Sequence, residues 1–94
     1  MRIKKTKTQR GFYSIEFQDR YNAKCSIQKS SLATEDAIWF GVDDADPKIL
    51  KHGSGWQPFE IHKEVLFTTR MHLTQKQVKK LLPILQKFAD TGEL

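Results

Sequence analysis

Three histidines, one cysteine and a cluster of aspartates are the side chains in this chain that could carry chemistry. His52, His62 and His72 stand ten residues apart, with no HxH or HExxH pair. That spacing places no two of them on one helical turn or on one face of a short strand, as a zinc or acid-base site needs. Cys25 is the single cysteine. It excludes an intrachain disulfide and a multi-thiolate metal site, and its place in an alternating apolar run reads as a small core side chain rather than a reactive thiol. Asp43, Asp44 and Asp46 suggest calcium. An EF-hand loop beginning at Asp44 would put Lys48 at its third ligand position and Gly55 at its closing glutamate, so that motif is absent. The acidic run reads as a solvated turn, with weak divalent or basic-partner binding as the alternative. Lys51 to Trp56, KHGSGW, has the backbone freedom to cradle an anion. The plainer expectation is a turn that sets Trp56 on the edge of the core. No nucleophile elbow, Walker loop, kinase lysine set or paired-carboxylate spacing accompanies these residues, and the expectation is a protein that is not an enzyme and needs no cofactor.

Charge points to binding instead. Sixteen Lys and Arg face eleven Asp and Glu, a net of +5. Arg2, Lys4, Lys5, Lys7 and Arg10 fall in the first ten residues without an acid, so residues 11–94 are neutral overall. That leading segment shows no helical or strand period and reads as a flexible basic arm, either solvated or gripping phosphate or an acidic protein. Glu35, Asp36, Asp43, Asp44 and Asp46 then cluster in the middle, whereas Val65 to Ala89 holds Arg70, Lys76, Lys79, Lys80 and Lys87 and no acid. Separated signs of this kind steer a charged partner.

The elements that position these groups follow from periodicity. Tyr13, Ile15 and Phe17 alternate with polar residues, turn formers occupy Asp19 to Asn22, and Ala23, Cys25 and Ile27 alternate again. This is an antiparallel hairpin with one apolar face. Ala37 to Val42 is a continuous apolar strand, and Val65 to Leu73 alternates as a fourth. Residues 43–62 form a long irregular loop, with one helical turn expected at Pro47 to Leu50. Thr74 and Gln77 make a capping-box pair ahead of Val78, Leu81, Leu82, Leu85, Phe88 and Ala89 at helical spacing, so a C-terminal helix runs from about Gln75 to Asp90, with Gly92 as its stop. Pro83 costs such a helix about 3 kcal/mol nominally, but it lies opposite the apolar stripe, on the solvent side. The expected fold is a single α+β domain, a four-stranded antiparallel sheet packed on one face by the helix. The other face would gather Lys24, Ser26, Gln28, Arg70, His72 and Trp39, a set suited to a protein hot spot or to stacked bases. The back of the helix would present Lys76, Lys80 and Lys87 within about 40° of one another.

The longest apolar run is six residues against the roughly 20 of a spanning helix. With no signal-like leader, membrane insertion and secretion are not expected, and the cytoplasm is the expected compartment.

Ser30 to Asp44 (SSLATEDAIWFGVDD), Thr69 to Val78 (TRMHLTQKQV) and the hairpin around Arg20 to Ile27 resemble a family of small uncharacterised proteins encoded by phages and prophages. The resemblance covers most of positions 12–94 and leaves out the basic arm. It assigns no catalytic or ligand-binding residue to any position. It implies an accessory role inside the host bacterial cell, and small phage proteins without enzymatic motifs commonly act by occupying a surface of a host machine, CRISPR effectors among them. A DNA mimic would need a strongly acidic surface, which a net +5 chain lacks. The expectation is a binder of a host protein or ribonucleoprotein, with direct nucleic-acid binding through the arm and the lysine-rich helix as the alternative.

Overall fold

A computed structural model describes all 94 residues. Its elements in chain order are β1 (Lys4–Lys7), β2 (Tyr13–Gln18), β3 (Lys24–Lys29), β4 (Ala37–Val42), β5 (Lys48–Lys51), β6 (Gly55–Pro58), β7 (Arg70–Thr74) and α1 (Gln75–Thr91). Strands β1, β2, β3, β4 and β7 form one antiparallel sheet in that order, and β5 and β6 pair separately as a hairpin. The α+β class holds, with five strands in the main sheet.

The hairpin of β2 and β3 closes on a side chain. Asp19 Oδ1 accepts the amides of Tyr21 (2.8 Å) and Ala23 (3.0 Å), and Asn22 takes the left-handed conformation at φ 63°. An aspartate holding its own turn while asparagine tolerates positive φ is what these two residue types do best. Phe17 then pairs with Cys25, and Ile15 with Ile27.

The basic arm is a correction to expectation: Lys4–Lys7 is an edge strand, not a flexible segment. Lys4 sits opposite Glu16, and the Lys5 and Lys7 ammonium groups lie 4.4 and 5.3 Å from the Tyr13 ring centroid. The Thr8 hydroxyl accepts the Phe12 amide at 3.0 Å and closes the turn between the strands. Lysine on an edge strand also blocks further strand addition by charge. Tyr13 and Glu16 belong to the neighbouring strand, so periodicity within the arm held no sign of the pairing.

Two more expectations change. Pro47 to Leu50 is not a helical turn; Lys48–Lys51 pairs with Gly55–Pro58 across the Gly-rich turn. That turn leaves Trp56 66% exposed rather than on a core edge. The fourth main strand begins at Arg70 rather than Val65, because the facing strand ends at Val42 and its ladder with β7 stops at Gly41. Residues 65–69 have nothing to pair with.

Thr74 is at once the last residue of β7 and the N-cap of α1. Its hydroxyl accepts the Gln77 amide, and the Gln77 side chain accepts the Thr74 amide at 2.9 Å, the reciprocal box expected. Gly92 at φ 77° ends the helix, its amide bonded to the Phe88 carbonyl. The helix does not lie over a face of the sheet. It has no buried residue, and its substantial contact is confined to β7, the strand it grows out of. A helix reversing onto its own sheet needs a connection, commonly of about two to six residues, and here there is none. The radius of gyration is 16.5 Å against roughly 12 Å for a compact chain of this length.

Candidate functional site

Pairing register sorts the sheet into two faces. Ile15, Phe17, Cys25, Ile27, Ile38, Phe40, Val42, Met71 and Leu73 share one, and Phe17 meets Phe40 edge to face at 6.4 Å. The other carries two rows of cross-strand neighbours, Ser14, Gln28, Trp39 and His72 in one and Glu16, Ser26, Gly41 and Arg70 in the next.

Small residues make the floor of this second face. Ser14, Ser26, Ser30 and Ala37 are four of the five buried residues of the protein. They are buried because longer neighbours lie across them. Trp39 and His72 stack with centroids 3.9 Å apart and planes within 6°, and the Arg70 guanidinium is 5.7 Å from the Trp39 ring. Arg70 Nη1 donates to Gln28 Oε1 at 3.2 Å, and His72 Nε2 is hydrogen-bonded to Ser30 Oγ at 2.9 Å. The Ser26 hydroxyl donates to Asp43 Oδ1 at 2.6 Å. Each polar side chain is thus held by a neighbour before any ligand arrives, which lowers the ordering cost of binding.

Gly41 makes the arrangement sterically feasible. A Cβ there would sit 2.6 Å from the Thr69 carbonyl oxygen and 3.0 Å from Arg70 Cα, and its φ of 153° is one that side chains disfavour. Its bareness lets β7 approach and Arg70 lie across the face.

Of the residues expected to bind a partner, Arg70, His72, Gln28 and Trp39 come together in this cluster. Lys24 sits at its margin, opposite Gln18. Lys24 lines a depression with Arg2, Lys4, Glu16 and Asp43, so basic and acidic groups mix at that corner. Arg10 reaches the cluster itself, sharing a depression with Phe12, Gln28 and Trp39 and lying 5.9 Å from the Phe12 ring. The remaining arm residues, Lys5 and Lys7, lie instead over Tyr13 on the apolar side. Lys76, Lys80 and Lys87 are exposed on α1, away from the sheet, and are not gathered with the cluster. Ser30 was not anticipated as a site residue, and Asp43 was expected only in a solvated acidic turn or a weak divalent or basic-partner site, not in this cluster. Ser30 continues the alternation of Ser26 and Gln28 by one step, and Asp43 continues that of Trp39 and Gly41 past the end of β4, which was the available signal for both.

The histidines occupy three different parts of the chain: the β5–β6 turn, the following loop and β7. No group of three or more His, Cys, Asp and Glu side chains is arranged to hold a metal ion. Cys25 is buried on the apolar face, where burial pushes its thiol above the ordinary value, with Asp19 and Asp43 adding repulsion. No helix is long and apolar enough to cross a membrane. No protein-family model matches the chain, and no curated protein or solved structure is significantly similar to it.

Proposed function

We propose that this chain is a non-enzymatic phage accessory protein that binds a host protein or ribonucleoprotein in the bacterial cytoplasm through the polar face of its sheet. Inhibition of a host defence complex such as a CRISPR effector is the role this reading favours. The observation that carries the binding surface is the Trp39, His72, Arg70 and Gln28 cluster. Binding energy concentrates in Trp, Tyr and Arg side chains that are already held in place, and this cluster supplies two such types on a floor of buried serines. The phage and host assignment rests on the sequence resemblance alone. Lys76, Lys80 and Lys87 on α1 add a cationic contact for an acidic patch of the same partner.

Capture from a bacterial host lysate tests the reading. Tagged protein should retain a discrete protein or ribonucleoprotein, and the double substitution Trp39→Ala with Arg70→Ala should release it while leaving the circular dichroism spectrum unchanged. Equal capture by both proteins would remove the polar face from the reading.

Direct nucleic-acid binding is the second reading, favoured by the placement of Arg10 beside Trp39. Stacked bases on an aromatic ring flanked by arginine is a common single-strand binding arrangement. Affinity would then fall steeply between about 50 and 200 mM salt, and Arg2→Ala, Lys4→Ala and Arg10→Ala together would flatten the slope. No retention of duplex or single strand at low salt would end this reading.

A further inference from the structure

Besides the exposed side chains of the β5–β6 hairpin and the loop after it, two apolar surfaces of this chain are left without a partner, and they are complementary. One is the sheet face, where Ile15, Phe17, Ile27 and Phe40 are only half-buried, Met71 is exposed and Cys25 is the one buried residue. The other is the α1 stripe of Val78, Leu81, Leu82, Leu85 and Phe88, with Leu82, Leu85 and Phe88 each more than half exposed. A helix stripe over a sheet face is how small α+β domains build a core. Within one chain the two cannot meet, because β7 passes into α1 at Thr74 with no residue between them for the reversal.

We propose that the protein is an obligate homodimer in which each chain's α1 packs on the apolar sheet face of a second copy. Surface area supports this occupant. The chain exposes 8497 Å², whereas a folded monomer of 11.0 kDa exposes about 5,600 Å². The excess is about 2,900 Å² per chain, or about 5,800 Å² over two copies, enough to supply an obligate homodimer interface of roughly 2,000 to 5,000 Å² in total while part of it stays in water. The exchange is reciprocal, helix to sheet and sheet to helix, so a two-fold axis closes it at two copies and leaves neither of these two surfaces free to add a third. On the sheet, Lys5, Lys7 and Lys29 share the apolar face in register and would border the docked helix. On α1, Lys76, Lys80 and Lys87 lie on the side opposite the stripe at about 100° per residue, so docking the stripe keeps all three in water. Pro83 is on that solvent side too. The proposal uses the apolar sheet face and the apolar stripe of α1, whereas the partner-binding reading uses the polar sheet face and the lysine side of α1, so each stands or falls independently of the other.

The oligomeric state provides a direct test. Sedimentation of the full chain at micromolar concentration should give twice 11.0 kDa. Leu85→Asp should lose that species, whereas Lys87→Glu, on the opposite side of the same helix, should keep it. Where Leu85→Asp fails to fold, cross-linking decides. Leu85→Cys with Met71→Cys, an exposed position of the apolar face, oxidised by molecular oxygen in a Cys25→Ser background, should give a covalent dimer in which peptide mapping finds each bridge between two chains. A monomer in solution, whether compact or extended, overturns the proposal, as does a bridge formed within one chain.

Discussion

Trp39 and His72 face each other across β4 and β7, ring centroids 3.9 Å apart and planes within 6° of parallel. The pair ties the centre of the sheet to the strand that launches the helix. A stacked aromatic pair is worth about 0.5 to 1.5 kcal/mol beyond area burial. His72→Ala should therefore destabilise the fold by about 1 kcal/mol and shift the Trp39 emission to longer wavelength. A Trp56→Phe background isolates that signal, and unchanged emission would show that the ring is held by something other than the stack.

Gly41 carries a steric demand rather than a contact. Gly41→Ala places a methyl group against the Thr69 carbonyl oxygen at 2.6 Å, which is backbone and cannot swing aside. The β4–β7 ladder must open, at a cost of about 2 kcal/mol or more. Urea denaturation should register the loss, and amide exchange should quicken first at Arg70 and Met71, the β7 residues paired with Gly41 and Phe40.

Thr74 joins strand to helix, so its cap acts on both. Thr74→Ala removes the hydroxyl that accepts the Gln77 amide, and should cost about 1 kcal/mol. Thr74→Ser should restore most of it. Denaturation midpoints of the three proteins provide the comparison, and equal midpoints for alanine and threonine would mean the box adds nothing.

Cys25 should react slowly. The thiolate is the attacking species, and burial holds the folded protein's thiol neutral to higher pH than in the unfolded chain. At pH 8 an aromatic disulfide reagent should label native protein well behind urea-unfolded protein, with the rate climbing as pH rises. The linked stability has the same sign: it is fully present below the ordinary thiol value and declines as pH rises past it.

Asp36 titrates early for a local reason. The Lys29 ammonium hydrogen-bonds its carboxylate and attracts it, holding the carboxyl below the ordinary range. The contribution to folding is therefore present above the ordinary carboxylate value and is lost as pH falls through the lower folded value. Carboxyl carbon chemical shifts should show this titration directly, and Lys29→Met should return it to the ordinary range. Because Asp36 also accepts the Gln75 amide through its carbonyl at 3.0 Å, that variant doubles as a probe of the helix start.

Elements encoded within a few residues were legible in the chain. The alternation from Tyr13 to Gln28 around Asp19 to Asn22 dictates the hairpin, and Thr74, Gln77 and Gly92 mark the helix ends. The polar cluster was legible for the same reason, since a two-residue period assigns every side chain of a strand to a face once its neighbours are known. Strand β1 was not legible, because lysines form a strand only when Tyr13 and Glu16 of another segment lie alongside. Ser30 and Asp43 lie one step beyond their strands on the same two-residue period, but the partners they hold, His72 and Ser26, come from other strands.

The sequence by itself determined two amphipathic surfaces, one on the strands and one on the C-terminal helix, because hydrophobic period is a local property. Whether those surfaces meet in one chain was decided only in three dimensions. Strand pairing with β4 carries β7 as far as Thr74, the same residue caps the helix, and a chain without a loop cannot turn back over the sheet it has just left.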